Sequence, residues 1–126
     1  MSDFAGRCLC GAVTFTGRWT DDPPRACHCG QCRRWSGHVW ASASASGVVI
    51  GGPVRWYPSS DQAERGFCPD CGSSLFWRKI GATDPEIATG AVDSPSGLRP
   101  LAGHIYVADK GDYYDIADGL PQDPQG

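Results

Sequence analysis

Cys27-His28-Cys29-Gly30-Gln31-Cys32 is the stretch that decides the fold, because it places three cysteines within six residues at C-x-C-x-x-C spacing. A cysteine pair lies on each side of it, Cys8 and Cys10 upstream and Cys68 and Cys71 downstream. All seven cysteines of the chain fall into these three groups. Clustered cysteines are typical of metal sites, so the sequence predicts two such sites, one closed and one open.

The composition indicates an ordinary globular protein. The chain has 126 residues, 40% of them hydrophobic and 20% charged, so we expect a single domain over residues 1–126. The net charge of −3 and the lack of a basic patch exclude a nucleic-acid partner. No apolar run approaches the roughly 18 residues that span a bilayer, and the N-terminal residues do not resemble a signal peptide. We therefore expect a cytoplasmic protein with no membrane partner.

A reducing compartment favours metal binding over disulfides. Cytoplasmic thiols stay reduced, and clustered cysteines there are more often ligands or catalytic groups than bridges. An oxidised framework is the less favoured alternative, and it would leave one of the seven cysteines over.

Short apolar and β-branched segments separated by glycine and proline predict an all-β fold. Gly (17 residues) and Pro (10 residues) are abundant, which favours turns over long helices. We expect six to eight short strands, which we place at 12–16, 39–45, 48–50, 54–57, 74–78, 86–92 and 104–107. Residues 31–35 are expected to form one helical turn that ends at Ser36-Gly37. Residues 1–7 are interpreted as a lead-in, 59–63 as a polar loop and 122–126 as a frayed tail.

Cysteine spacing favours a closed four-cysteine site. Cys8 and Cys10 can supply two thiolates, and Cys68 and Cys71 lie in a C-x-x-C-G knuckle that can supply two more. Four thiolates saturate a tetrahedral zinc ion, so this site is predicted to be structural. Closing so long a loop would contribute strongly to stability.

The remaining three cysteines, Cys27, Cys29 and Cys32, would leave one zinc position open, as in catalytic sites. One alternative is that a histidine (His28, His38 or His104) or an acidic residue fills that position and makes a second structural site. His28 stands between two ligands, so its side chain is expected to point away from the same metal. Another alternative pairs the clusters differently, for example Cys8 and Cys10 with part of the central cluster.

The segments Gly6–Val13, Cys27–Arg33 and Phe67–Ser73 resemble the family of glutathione-dependent formaldehyde-activating enzymes, which is also named for centromere protein V. His104–Val107 and Asp118–Pro121 are similar to the C-terminal pattern of this family, and the resemblance covers roughly residues 6–121. It implies a zinc-stabilised fold of twisted, tent-like antiparallel sheets. It also implies two zinc ions per chain, a structural one on Cys8, Cys10, Cys68 and Cys71 and a more labile one on Cys27, Cys29 and Cys32.

The same resemblance implies a carbon–sulfur lyase that acts on S-hydroxymethylglutathione, the adduct of glutathione and formaldehyde. The substrate thiol would then occupy the open zinc position, His28 would be a candidate proton shuttle, and Arg33 and Arg34 would bind the carboxylates of glutathione. The alternatives are a non-catalytic zinc-binding interaction module and a thiol or glutathione sensor without turnover.

Overall fold

The computed structural model describes residues 2–126 and consists almost entirely of strands. The strands are β1 (Asp3–Arg7), β2 (Thr14–Trp19), β3 (Arg25–Cys27), β4 (Trp40–Ala43), β5 (Ala45–Gly51), β6 (Arg55–Pro58), β7 (Ala63–Phe67), β8 (Ser74–Lys79), β9 (Glu86–Ala88) and β10 (Gly103–Ile105). The α-helix is α1 (Gly30–Ser36), and two 3-10 turns span Thr89–Ala91 and Val107–Asp109. The prediction of an all-β fold is confirmed. None of the described helices is long and apolar enough to cross a membrane.

The strands form two sheets. The small sheet has the order β1-β2-β5 and the large one the order β10-β3-β4-β9-β8-β7-β6. All pairs are antiparallel except β3 with β10, which is parallel. The expected antiparallel sheets are therefore present, with this pair as an exception that the sequence did not predict. Strands 3 and 10 are far apart in the chain, so no short turn dictates their direction.

The large sheet buries one face against the small sheet. Side chains alternate between the two faces of a strand, so Ala43, Phe76 and Ile87 face one way and their neighbours the other. These three are almost fully buried and belong to the same core as Phe4 and Phe15 of the small sheet. The rings of Phe15 and Phe76 meet edge to face with 5.2 Å between centroids. The opposite face of the large sheet is therefore free to line a cavity.

Ten strands exceed the six to eight that we expected. Residues 3–7, interpreted as a lead-in, form β1, and residues 63–67, placed partly in a loop, form β7. Both contain a glycine that local propensity counts against a strand. Packing requires Gly6, because a Cβ there would lie 2.4 Å from Phe15, and it favours Gly66, where a Cβ would crowd Phe76 at 3.0 Å. The expected strand 86–92 stops at Ala88, where a 3-10 turn begins.

Residues 122–126 form backbone hydrogen bonds with β10 and the turn that follows it. The backbone N–H of Asp123 donates to His104 at 2.9 Å, and that of Val107 donates to Asp123 at 3.1 Å. The N–H of Tyr106 also donates to Gln125. The C-terminal segment therefore pairs with the free edge of β10, which otherwise would present unpaired backbone groups.

Candidate metal centres and active-site cavity

The first cluster joins the end of β1 to the turn between β7 and β8. It contains Cys8, Cys10, Cys68 and Cys71, whose sulfurs all lie within 4.8 Å of one another. In the β7–β8 turn, the N–H of Gly72 donates to the carbonyl of Cys68 at 2.8 Å. Gly72 has φ +79°, a left-handed conformation that glycine adopts without strain.

The sulfur spacing of this cluster fits a tetrahedral zinc ion. Sulfurs about 2.3 Å from zinc at the corners of a tetrahedron lie about 3.8 Å apart. The observed distances are 3.6 Å from Cys8 Sγ to Cys10 Sγ and 3.8 Å from Cys10 Sγ to Cys68 Sγ. The hydroxyl and N–H of Ser73 donate to Cys71 and lower the pKa of Cys71 to about 5, which favours the thiolate that a metal requires.

The second cluster is built by the end of β3 and the start of α1. Cys27 is the last residue of β3, and Cys29 is the N-cap of α1, where its sulfur accepts the N–H of Cys32 at 3.3 Å. The three sulfurs lie within 4.8 Å of one another. The helix runs from Gly30 to Ser36 and ends at Gly37 with φ +91°, close to the expected turn.

No histidine or carboxylate of residues 2–126 joins this three-cysteine cluster. The cluster therefore offers three sulfur ligands and no fourth from the described chain. The seven thiols are grouped as the spacing favours, and the alternative pairing of Cys8 and Cys10 with the central cluster is not the one observed.

Negative charge in the three-cysteine cluster is stabilised from two directions. The thiols of Cys27 and Cys32 hydrogen-bond to the sulfur of Cys29 and lower the pKa of Cys29 to about 2, whereas the same contact raises the pKa of Cys27. Nη1 of Arg65 lies 3.6 Å from Cys32 Sγ, and Arg65 also lowers the pKa of Cys29 through its charge. At least one thiolate is thus favoured even without a metal.

The three-cysteine cluster opens into a cavity of about 710 Å³. The cavity lies on the face of the large sheet that turns away from the small one, and Trp40, Trp77 and Arg65 form parts of its wall. A volume of this size fits a small-molecule ligand. A second groove of about 860 Å³ borders the four-cysteine cluster but reaches none of the other three cysteines.

His28 faces away from the cavity into a buried hydrogen-bonded chain. It is 1% exposed, its Nδ1 lies 2.6 Å from the Tyr114 hydroxyl, and its Nε2 lies 2.8 Å from Nδ1 of His104. Nε2 of His104 lies 2.7 Å from the Asp118 carboxylate. Burial, followed by the charge of His104, lowers the pKa of His28, so the ring is neutral at neutral pH. Both ring nitrogens are occupied within this chain, and neither reaches the cavity.

The direction of each hydrogen bond in this chain follows from Asp118. The N–H of Leu120 and the ring of His104 lower the pKa of Asp118, which is therefore an ionised acceptor. His104 donates from Nε2, and in the neutral ring its Nδ1 then accepts from Nε2–H of His28. Nδ1 of His28 then accepts from Tyr114. This one-way chain ties the cysteine loop to residues 114–118.

Arg33 and Arg34 do not line the cavity, although both follow the cysteine loop directly. Arg65 and Arg25 line it instead, and sequence reasoning missed both. Arg65 is 4% exposed, but its position just before the Cys68–Cys71 knuckle gave no signal of burial. No local pattern marked it as a strand residue, because Ala63, Glu64 and Gly66 are of types depleted in strands.

The fold and the site define an all-β protein with two separate thiol clusters that can hold metal ions. The chain belongs to the family of glutathione-dependent formaldehyde-activating enzymes, whose family model matches residues 3–109. It is 27% identical over 121 residues to an uncharacterized lyase of Schizosaccharomyces pombe, covering 94% of this chain and 88% of that protein. It also resembles a crystal structure of a Rhodobacter sphaeroides protein at 23% identity, with a TM-score of 0.60 over 79% of this chain and 98% of that one. The last likeness concerns the fold alone.

Proposed function

We propose that this protein is a carbon–sulfur lyase that makes and breaks the bond between a thiol sulfur and the carbon of a small aldehyde. S-hydroxymethylglutathione, formed from glutathione and formaldehyde, is the representative substrate. The observation that carries the proposal is the three-cysteine cluster at the wall of the 710 Å³ cavity. Family membership and the lyase named among its relatives support the same class of reaction.

Each thiol cluster has its own role in this proposal. Cys8, Cys10, Cys68 and Cys71 hold a structural zinc ion, because four sulfurs complete a tetrahedron without any outside ligand. Cys27, Cys29 and Cys32 hold the second ion. When bound there, zinc supplies a Lewis acid with one free coordination position, which suits a soft sulfur ligand such as a substrate thiolate.

The reaction needs no oxidant or reductant. In the direction of synthesis, a carbon–sulfur bond forms between the thiol and formaldehyde, the C=O double bond becomes a C–OH single bond, and the thiol proton ends on that oxygen. In the lyase direction the carbon–sulfur bond breaks and the proton returns to sulfur. The residues around the site therefore have to bind, orient and stabilise charge.

The chain supplies these effects around the cavity. Arg65 offsets part of the negative charge of the cysteine sulfurs, with Nη1 3.6 Å from Cys32. Trp40 and Trp77 give the cavity apolar walls that reduce water access and strengthen electrostatic interactions. The chain from His28 to Asp118 holds the loop between Cys27 and Cys29 in place. We assign His28 this positioning role in preference to proton transfer.

The test combines metal content with exchange kinetics. Zinc-loaded protein is added to an equilibrium mixture of glutathione and formaldehyde, and the exchange rate between free and adduct forms is measured by NMR. We expect the wild type to accelerate exchange in both directions. Cys32→Ser should return exchange to the uncatalysed rate and bind one zinc ion per chain in place of two, with an unchanged circular dichroism spectrum.

Three outcomes would contradict the proposal. Glutathione binding with no acceleration would select the thiol-sensor alternative. Neither binding nor acceleration, with both zinc ions held tightly, would favour an interaction module. Loss of folding in Cys32→Ser would show that the three-cysteine cluster is structural.

A further inference from the structure

The cavity wall contains a carboxylate without a cationic partner. Glu86 begins β9 and lines the cavity, and its Oε1 accepts the Ser42 hydroxyl at 2.9 Å. Within residues 2–126, Glu86 forms no ion pair. Burial raises the pKa of Glu86, and the Ser42 hydrogen bond and the charge of Arg25, which is itself paired with Asp22, offset this only in part. A cation arriving in the cavity would supply the remaining compensation.

An unpaired cation lies beside it on the next strand. Lys79 lines the mouth of the cavity and takes part in no ion pair among the described residues. Trp77 is the antiparallel partner of Glu86, and Lys79 follows two residues later on the same face. Diagonal neighbours of this kind lie about 7–8 Å apart. A ligand that has an ammonium and a carboxylate on one carbon can place the ammonium near Glu86 and the carboxylate near Lys79.

The distance to the cysteine cluster sets the length of the ligand. Cys27 pairs with Trp40, and Ser42 lies two residues further along β4, so Cys27 and Ser42 are diagonal neighbours about 7–8 Å apart. The Glu86 carboxylate is hydrogen-bonded to that serine. A thiol bound beside the cysteines would therefore need its amino group about 8 Å from its sulfur to reach Glu86.

This length discriminates between thiols. In free cysteine the amino group and the sulfur are three bonds apart, too close to span the cavity. In a γ-glutamyl-cysteinyl peptide they are eight bonds apart, and a fully extended chain of that length reaches about 9 Å, enough to span the distance. We propose that Glu86 and Lys79 recognise the α-ammonium and the α-carboxylate of a γ-glutamyl thiol peptide, and that Ser42 orients Glu86. This inference rests on the proposed function, since it assumes that the thiol binds at the three-cysteine cluster.

The test uses protein loaded with Co²⁺, whose sulfur-to-metal absorption reports thiol binding. The ligands are glutathione, an analogue without the α-ammonium (glutaryl-cysteinylglycine), an analogue without the α-carboxylate (4-aminobutyryl-cysteinylglycine) and 2-mercaptoethanol. We expect the wild type to prefer glutathione over either analogue by about tenfold or more, as for hydrogen bonds to charged groups. The affinity of Glu86→Gln for glutathione should fall to the affinity of the wild type for the analogue without the ammonium. The affinity of Lys79→Gln for glutathione should fall to that of the wild type for the analogue without the carboxylate.

The affinity for 2-mercaptoethanol should stay unchanged in both variants, and the exposed carboxylate variant Asp112→Asn should behave as the wild type. Equal glutathione affinity in Glu86→Gln and the wild type, with 2-mercaptoethanol bound by both, would overturn the recognition proposal and leave the proposed function standing. Loss of affinity for both thiols in Glu86→Gln would also overturn it, because Glu86 would then act on the metal cluster. Absence of thiol binding in the wild type would overturn both proposals.

Discussion

The guanidinium of Arg65 lies against the sulfur of Cys32, with Nη1 3.6 Å from Sγ. Nη2 donates to Oε1 of Gln31 at 3.2 Å, and the guanidinium carbon stands 5.1 Å from the centre of the Trp35 ring. Arg65 is 4% exposed. A permanently charged group is buried at high cost unless it meets an opposite charge. The contact therefore indicates that the three-cysteine cluster carries negative charge in the folded protein.

Replacing Arg65 should weaken metal binding at the three-cysteine cluster. We expect Arg65→Met to lower zinc affinity there by about tenfold, because a charge-assisted hydrogen bond to sulfur is lost. The zinc affinity of Arg65→Lys should lie between those of the wild type and Arg65→Met, since lysine keeps the charge but not the planar donors. Competition with a coloured chelator measures the affinity, and the four-cysteine cluster of the same molecule is the internal control. Unchanged affinity in a folded Arg65→Met variant would contradict the prediction.

The two zinc ions should differ in how they leave. A mild chelator should remove one ion per chain with no change in circular dichroism, because only three sulfurs hold it. The second should leave only as the protein unfolds, because it joins Cys10 to Cys68 across 58 residues of chain. Metal analysis and circular dichroism are followed together during chelation. Loss of both ions from a protein that stays folded would argue against a structural role for the four-cysteine cluster.

Two tyrosine–histidine contacts of equal length should contribute unequally to stability. The Tyr114 hydroxyl lies 2.6 Å from the buried His28, and the Tyr113 hydroxyl lies 2.6 Å from the exposed His38. Tyr114→Phe leaves a buried acceptor unpaired, so we expect a loss of about 1 kcal/mol in the free energy of unfolding.

Tyr113→Phe is the matched control and should change the free energy of unfolding by no more than a few tenths of a kcal/mol, since water can replace the hydroxyl. Urea unfolding measures both variants. Equal losses would show that the chain from His28 to Asp118 contributes no more than a surface contact.

Glu86 should make the stability depend on pH in the absence of ligand. Since burial raises its pKa in the folded state, the folded protein takes up a proton at Glu86 more readily than the unfolded chain does. The stabilising effect of this protonation is complete below the ordinary value of 4.5 and is lost as the pH rises through the raised folded-state pKa. Glu86→Gln should therefore be more stable than the wild type at pH 7 and should unfold at a higher Tm.

This difference should shrink as the pH falls and disappear when Glu86 is protonated in both states. Thermal unfolding of both proteins across acid and neutral pH provides the measurement. A Glu86→Gln variant that is less stable at pH 7 would show that an ion pair, and not desolvation, dominates at this position.

Local sequence patterns were sufficient to predict some helices and strands and not others. The turn of helix at residues 30–36 was predictable because Cys29 can cap it and Gly37 can end it, both within a few residues. Strand β1 was not, because its glycine is explained by the ring of Phe15 and the carbonyl of Ala91, both outside the local segment. The parallel pairing of β10 with β3 and the hydrogen bonds of the C-terminal segment to β10 were not predicted for the same reason, since each depends on segments distant in sequence.

The sequence by itself determined the family, the all-β class and the division of the cysteines into two sets. The distance between two sulfurs of one turn is a local property of the chain, because the C-x-C and C-x-x-C intervals set it. Only the tertiary structure decided which side chains surround the three-cysteine cluster. Arg65 and Glu86 reach the same cavity because β7, β8, β9, β4 and β3 are neighbours in one sheet and present alternate side chains to one face. Strand order and register arise from long-range packing, which a local pattern does not encode.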